Sequence, residues 1–254
     1  VVAMSATLGA TAESQDTFVL SPEEREELSH RLAKPKFCVF READSKSPFE
    51  TSVVKAVLEM AERVEYGVVA VIVNRVDTAR IVFEQLRDKG EAVLLIGRAR
   101  PFDRDKLLRD WLQRLSPDRD RTRDDGIRFV VATQTVEVGA DFDFDGLVTE
   151  LAPLSALRQR LGRLNRVGLR DEARAIIVRR KDKDHVYDKK VLDEVWKWLT
   201  GRLPRAKRRQ EQTLDLCDQA LTRILEQEDP PAEVPALEAP WLSRPYVEQW
   251  SQTS

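Results

Sequence analysis

Val68-Val69-Ala70-Val71-Ile72-Val73-Asn74-Arg75 is the stretch on which the fold turns. A continuous apolar run rich in β-branched residues suits a central parallel strand covered on both faces, and the abrupt change at Asn74 marks the strand's carboxyl end. Working outward from it, periodicity switches repeatedly between helix and strand. Glu50 to Val64 places Val53, Val54, Val57, Leu58, Ala61 and Val64 on one helical face. Downstream, a helix over Thr78 to Lys89 closes at Gly90, a strand over Ala92 to Ile96 follows, and Phe102 to Leu115 reads as a second amphipathic helix. After a charged loop at Ser116 to Gly126 come strands at Ile127 to Ala132 and Gly146 to Leu151, a helix at Ser155 to Leu161 and a strand at Ala173 to Val178. This alternation predicts an α/β fold, an open parallel sheet flanked by helices.

Further out, Val1 to Met4 reads as the end of a buried strand entered midway, which suggests a piece of a longer protein. Ser21, Pro22 and Glu24 predict a helix running to about Ala33, Lys36 to Phe40 a short strand, and the polar, proline-interrupted segment 41–49 a boundary. Beyond Lys181, helices are expected over Val186 to Leu199 and Lys207 to Gln227, before a tail holding Pro230, Pro231, Pro235 and Pro240. The chain therefore divides, on expectation, into 1–48, a main domain at 49–181, and a helical C-terminal appendage with a Pro-rich tail at 182–254. Trp196 and Trp198 are expected to pack rather than to stack on bases.

The 254 residues, 34% charged and 42% hydrophobic, suit one sizeable core with a heavily charged surface. No apolar run approaches the roughly 20 residues of a membrane span, and no signal segment is visible, so a cytoplasmic home is the expectation. Cys38 and Cys217 stand far apart, which excludes a disulfide framework and a four-cysteine metal site. A net charge of −2 argues against a nucleic-acid partner, but it conceals an asymmetry. Between Arg158 and Lys183 lie ten basic residues against three acidic ones, and Arg98, Arg100, Arg104, Lys106 and Arg109 form a second basic group able to meet phosphates.

Ligands of parallel α/β sheets bind at the carboxyl ends of strands. Polar residues stand after four such strands: Asn74, Arg75 and Asp77; Gly97, Arg98 and Arg100; Thr133 to Asp141; and the cluster at Gln159. On a helix, Gln159, Gly162, Arg163 and Arg166 are spaced by three or four residues, so they fall on one face and can point into one site. Two guanidiniums there suit charge developing on a transferring phosphoryl group, although a solvated basic helix has the same composition. Ala132-Thr-Gln-Thr-Val-Glu-Val-Gly-Ala-Asp-Phe-Asp143 sets a hydroxyl after a buried strand, then Gly139 and Asp141. Thr133 can meet a nucleic-acid phosphate and Asp141 a ribose hydroxyl; a tight turn with a structural glycine is the competing reading.

Ser5-Ala6-Thr7, the segment 132–143 and the segment 159–166 resemble motifs III, V and VI of superfamily 2 helicases, in that order. Residues 130–167, with Ile72-Val73-Asn74 and the stretch 98–104, resemble the CRISPR-associated helicase-nuclease of type I interference systems. The resemblance implies a RecA-like second lobe of the P-loop NTPase fold, with residues 1–48 as the end of the first lobe and the linker. It implies that Arg163 and Arg166 reach ATP phosphates, that Gly139 and Asp141 line the nucleotide side, and that Gln159 couples the two. Ser5 and Thr7 would link hydrolysis to lobe closure, and Thr133, Asn74, Arg75, Arg98 and Arg100 would touch single-stranded DNA. Arg75 departs from the small hydroxyl residue common at that position of the family.

ATP and Mg²⁺ are the implied cofactors, the metal held mainly by the first lobe. The implied partners are that lobe, single-stranded DNA and a CRISPR RNA-guided surveillance complex, with no membrane. The sequence contains no Gly-x-x-x-x-Gly-Lys-Ser/Thr loop, and its two histidines, His30 and His185, are too few for a histidine-and-aspartate nuclease site. The chain alone is therefore expected not to hydrolyse ATP, and no metal site is expected in it. An RNA helicase, a restriction-type translocase and a non-catalytic docking module remain as alternatives.

Overall fold

A computed structural model of the chain describes residues 21–64, 67–96, 111, 114–119, 127–137, 141–181, 186–204 and 211–231. Ser5, Thr7, Arg98, Arg100 and Gly139 lie outside the described residues, as does most of the helix expected from Phe102.

Helix α1 (Pro22–Leu32) leads into strand β1 (Lys36–Glu42). Helix α2 (Phe49–Arg63) buries Phe49, Val53, Ala56, Val57 and Met60, the spacing of a single helical face. Strand β2 (Val69–Ile72) is buried throughout, as its unbroken apolar run requires. Then come α3 (Val76–Leu86), β3 (Glu91–Leu95), β4 (Ile127–Ala132), a single 3-10 turn at Gln134–Val136, β5 (Gly146–Glu150), α4 (Leu154–Leu161) and β6 (Ala173–Arg179). Helix α5 (Lys189–Thr200), a two-residue strand β7 (Leu214–Asp215) and helix α6 (Asp218–Gln227) are the last elements among the described residues.

Among the described residues the strands form one sheet in the order β3-β4-β2-β5-β6-β1-β7, parallel except for β7. The expected α/β architecture is therefore present, with one antiparallel edge. Alternate residues of each strand serve opposite faces. Val69, Val71 and Val73 pack under α2 and α3, while Ala70 and Ile72 pack with α4, α5 and α6. At Gly146 a Cβ would come within 2.8 Å of Met60 Cγ, so the absent side chain lets α2 lie close over β5.

Two expectations change. Within the helix expected over Lys207 to Gln227, residues 211–217 are not helical and the helix runs from Asp218, because Leu214 and Asp215 pair antiparallel with Cys38 and Phe37; residues 207–210 lie outside the described residues. The sheet also passes both expected boundaries, since β1 lies before residue 49 and β7 after residue 181. Cys38 and Cys217 are buried, and burial raises both thiol pKa values. Trp196 meets Phe40 edge to face at 5.9 Å, a packing contact.

Candidate functional site

The chain leaves β2 on one side of the sheet, returns through β4, and crosses to the other side to form β5. Helix α3 after β2 and helix α4 after β5 cover opposite faces. The carboxyl ends of β2 and β5 thus form the crevice at which strand order reverses, the usual ligand position of such a sheet. Asn74, the 134–137 turn, Glu150 and Arg160 converge there.

Helix α4 follows Pro153 at its N-cap, whose fixed φ suits a helix entry, and ends at Leu161. Gly162 is its C-cap, and Asn165 takes a left-handed conformation at φ 44°. Arg163 and Arg166 therefore sit in the turn beyond the helix, not on a continuing helical face. The cause is tertiary: Phe144 N–H donates to Arg163 O at 2.8 Å and Asn165 N–H to Phe144 O at 2.9 Å, drawing the segment out as a short bridge. Lys36 Nζ, almost wholly buried, donates to Leu161 O at 2.8 Å and so caps α4 with a cation. Burial, the largest influence on Lys36, lowers its pKa.

The two arginines nonetheless share one place. Arg166 Nη2 lies 2.9 Å from Asp141 Oδ1, and its backbone N–H donates to Asp143 Oδ1 at 2.7 Å. Arg163 donates to the carbonyls of Val136 and Glu137 at 3.4 and 3.3 Å. The pKa of Arg163 is lowered, first by partial burial and then by repulsion from Arg166, against an opposing pull from Asp141. Two half-buried cations that repel one another, with one exposed carboxylate, Asp141, beside them among the described residues, present a deficit of negative charge to an incoming anion. The residues present fit a phosphate.

Gln159 is half-buried on α4 and Arg75 half-buried at the N-cap of α3. Thr133 is buried, its hydroxyl 3.5 Å from that of Thr135. Asn74 turns inward: its side chain donates to Leu151 O at 2.8 Å and accepts from Arg160 at 2.9 Å. The sequence had singled out neither Arg160's burial nor its partners. The signal available was Thr149-Glu150, polar residues closing a buried strand. Glu150, 1% exposed, accepts from Asn74 N–H at 2.9 Å and from Arg180 Nε at 2.8 Å. Behind the turn, Asp145 accepts from Val68 N–H, Arg119 and Arg170 at 2.8, 2.6 and 3.0 Å.

Among the described residues, no group of three or more His, Cys, Asp or Glu is placed to hold a metal ion. No helix among them is long and apolar enough to cross a membrane.

Residues 65–168 match the family model of the Cas3-like C-terminal domain, described as CRISPR-associated nuclease/helicase Cas3, C-terminal. A CRISPR-associated nuclease/helicase Cas3 of Methanothermobacter thermautotrophicus is 31% identical over 131 residues, covering 49% of this chain and 15% of that protein. The chain thus spans a small part of the relative's length. A crystal structure of a CRISPR-associated protein aligns over 94% of this chain and 25% of its own, with 24% identity and a TM-score of 0.60. A chain of a CRISPR RNA-guided surveillance complex in a pre-nicking state aligns over 77% of this chain and 25% of its own, with 21% identity and a TM-score of 0.55. These structures share the RecA-like helicase fold. Segment 133–141, Arg163 and Arg166 all fall inside the matched span, and that span of the chain resembles the C-terminal helicase lobe of type I Cas3.

Proposed function

We propose that this chain is the second lobe of an ATP-driven DNA helicase or translocase that unwinds target DNA for degradation in a CRISPR type I system. The observation that carries the reading is the pair Arg163 and Arg166, half-buried together at one edge beside Asp141, inside a span that matches the Cas3-like C-terminal domain. A first RecA-like lobe would bind ATP with Mg²⁺, which supply the transferable phosphoryl group and its charge neutralisation. On closure, Arg166 exchanges Asp141 for phosphate oxygens, and Arg163 moves from two long carbonyl contacts to the same anion. Gly139 and Asp141 line the nucleotide, Gln159 connects the two sides, and Ser5 and Thr7 couple closure to hydrolysis. Thr133, Arg75, Arg98 and Arg100 hold the single-stranded backbone, with Asn74 fixing the loop that carries Arg75. The surveillance complex is the proposed recruiting partner, as the likeness to a chain of such a complex suggests.

The test is Arg166→Ala in the full-length protein that contains both lobes. ATP turnover should fall on the order of 10²-fold or more, while binding of oligo-dT without nucleotide is retained. Unchanged turnover would overturn the motor reading and favour a docking module. Stimulation by oligo-U in place of oligo-dT would assign RNA as the substrate.

A further inference from the structure

The crevice between β2 and β5, where a sheet of this topology ordinarily takes a ligand, is filled by the chain's own Arg160. That side chain is 0% exposed. A guanidinium has five N–H donors in a rigid fork, and here it makes four hydrogen bonds and an ion pair. Nε and Nη2 both reach Glu137 Oε1 at 2.8 Å. Nη1 donates to Thr149 Oγ1 at 2.9 Å and to Glu150 O at 3.0 Å, and Nη2 also donates to Asn74 Oδ1 at 2.9 Å. One residue of α4 thereby ties together the end of β5, the loop after β2 and the turn after β4.

The same turn also accepts from Arg163. Glu137 is held by its side chain from Arg160 and by its carbonyl from Arg163. Gln134, at the other end of the turn, donates to Asn74 O at 3.1 Å. The contacts of Arg160 are short and those of Arg163 long, so Arg160 anchors the turn and Arg163 rides on it. Thr133 immediately precedes the turn, so a nucleic-acid strand that displaces Thr133 also displaces Glu137 and, with it, the carbonyls that aim Arg163.

We propose that Arg160 is the positioning residue of this lobe: through Glu137 it sets the direction of Arg163 and binds that direction to the loops after β2 and β4. This rests on the reading of Arg163 as a phosphate-facing arginine. Arg160 itself touches no ligand. Lysine cannot replace it, because an ammonium has three donors and no planar fork.

The experiment uses the full-length protein with Arg160→Lys, Glu137→Gln, the double variant, and Arg166→Ala alongside. ATP turnover is measured with saturating oligo-dT, together with KM for ATP, oligo-dT affinity without nucleotide, and the melting temperature. Each single variant is expected to lower kcat on the order of 10²-fold, the cost of a small misplacement of a reacting group, with KM and oligo-dT affinity kept within about threefold. The double variant is expected to be no worse than the weaker single variant, since both act through one contact. A folded variant with unchanged kcat, or one whose KM rises while kcat stands, would overturn the proposal. Should Arg160→Lys fail to fold, Glu137→Gln decides, because it leaves the guanidinium and its other acceptors in place. If Arg166→Ala also keeps full turnover, the motor reading itself is at fault; if Arg166→Ala is inactive while Glu137→Gln is fully active, only the role of Arg160 fails.

Discussion

At the scale of single residues, the same type of side chain does three different jobs within seven positions. Arg160 is buried and held by four hydrogen bonds, Arg163 is half-buried and loosely held, and Arg166 is paired to an exposed carboxylate. Arginine spacing made the cluster visible in the sequence, but it could not sort the three. Burial depends on acceptors that arrive from Asn74, Glu137 and Thr149, all far away along the chain. Backbone conformation at one glycine is equally decisive. Gly67 has φ +127°, and a Cβ there would lie 2.3 Å from Asp145 Oδ2, the carboxylate that accepts from Val68, Arg119 and Arg170. Gly67→Ala is expected to destabilise the domain by about 1–3 kcal/mol from the backbone alone, with a further cost from displacing Asp145. Denaturant unfolding measures this, and a midpoint equal to wild type would contradict the assignment.

At the scale of elements, most helices and strands were legible because their apolar periodicities are strong. Strand β2 was read from its unbroken run and α2 from its single apolar face. Strand β7 was not, because two residues give no periodicity of their own and the open edge of β1 selects their conformation. The segment before β7 is also fastened electrostatically. Glu211 is bonded to Arg41 at 3.0 Å and Arg63 at 2.9 Å, and both arginines bond Glu59. The hydrogen bond from Arg41 is the chief reason the Glu59 pKa is lowered from its ordinary 4.5. At Glu211, burial works upward but is outweighed by the bonds from Arg63 and Arg41. A carboxylate with a lowered folded-state pKa contributes stability above its unfolded value and loses it as pH falls through the folded one. The melting temperature of Glu59→Gln should accordingly lie below wild type above pH ~5, and the gap should close as the pH drops below 4.5. A gap independent of pH would show that the cluster does not act through ionisation.

At the scale of the whole molecule, a net charge of −2 coexists with a carboxyl edge rich in arginine, so mean charge is a poor guide to partners. If Arg98 and Arg100 track a single-stranded backbone, each alanine substitution should reduce the slope of log affinity against log salt by about 0.7, the value for one lost phosphate contact on single strands. Equilibrium binding of oligo-dT by the full-length protein across a salt series tests this; unchanged slopes would remove both residues from the path. The sequence by itself determined the α/β alternation, the strand ends at which polar residues gather, and the presence of a two-arginine cluster, because each is written in local periodicity or short-range spacing. The tertiary structure alone decided that α4 stops before Arg163, that β1 and β7 extend the sheet past the expected boundaries, and that Arg160 fills the crevice instead of facing a ligand. Each of these depends on hydrogen-bond partners distant in sequence, and a buried polar group goes only where the folded chain can satisfy it.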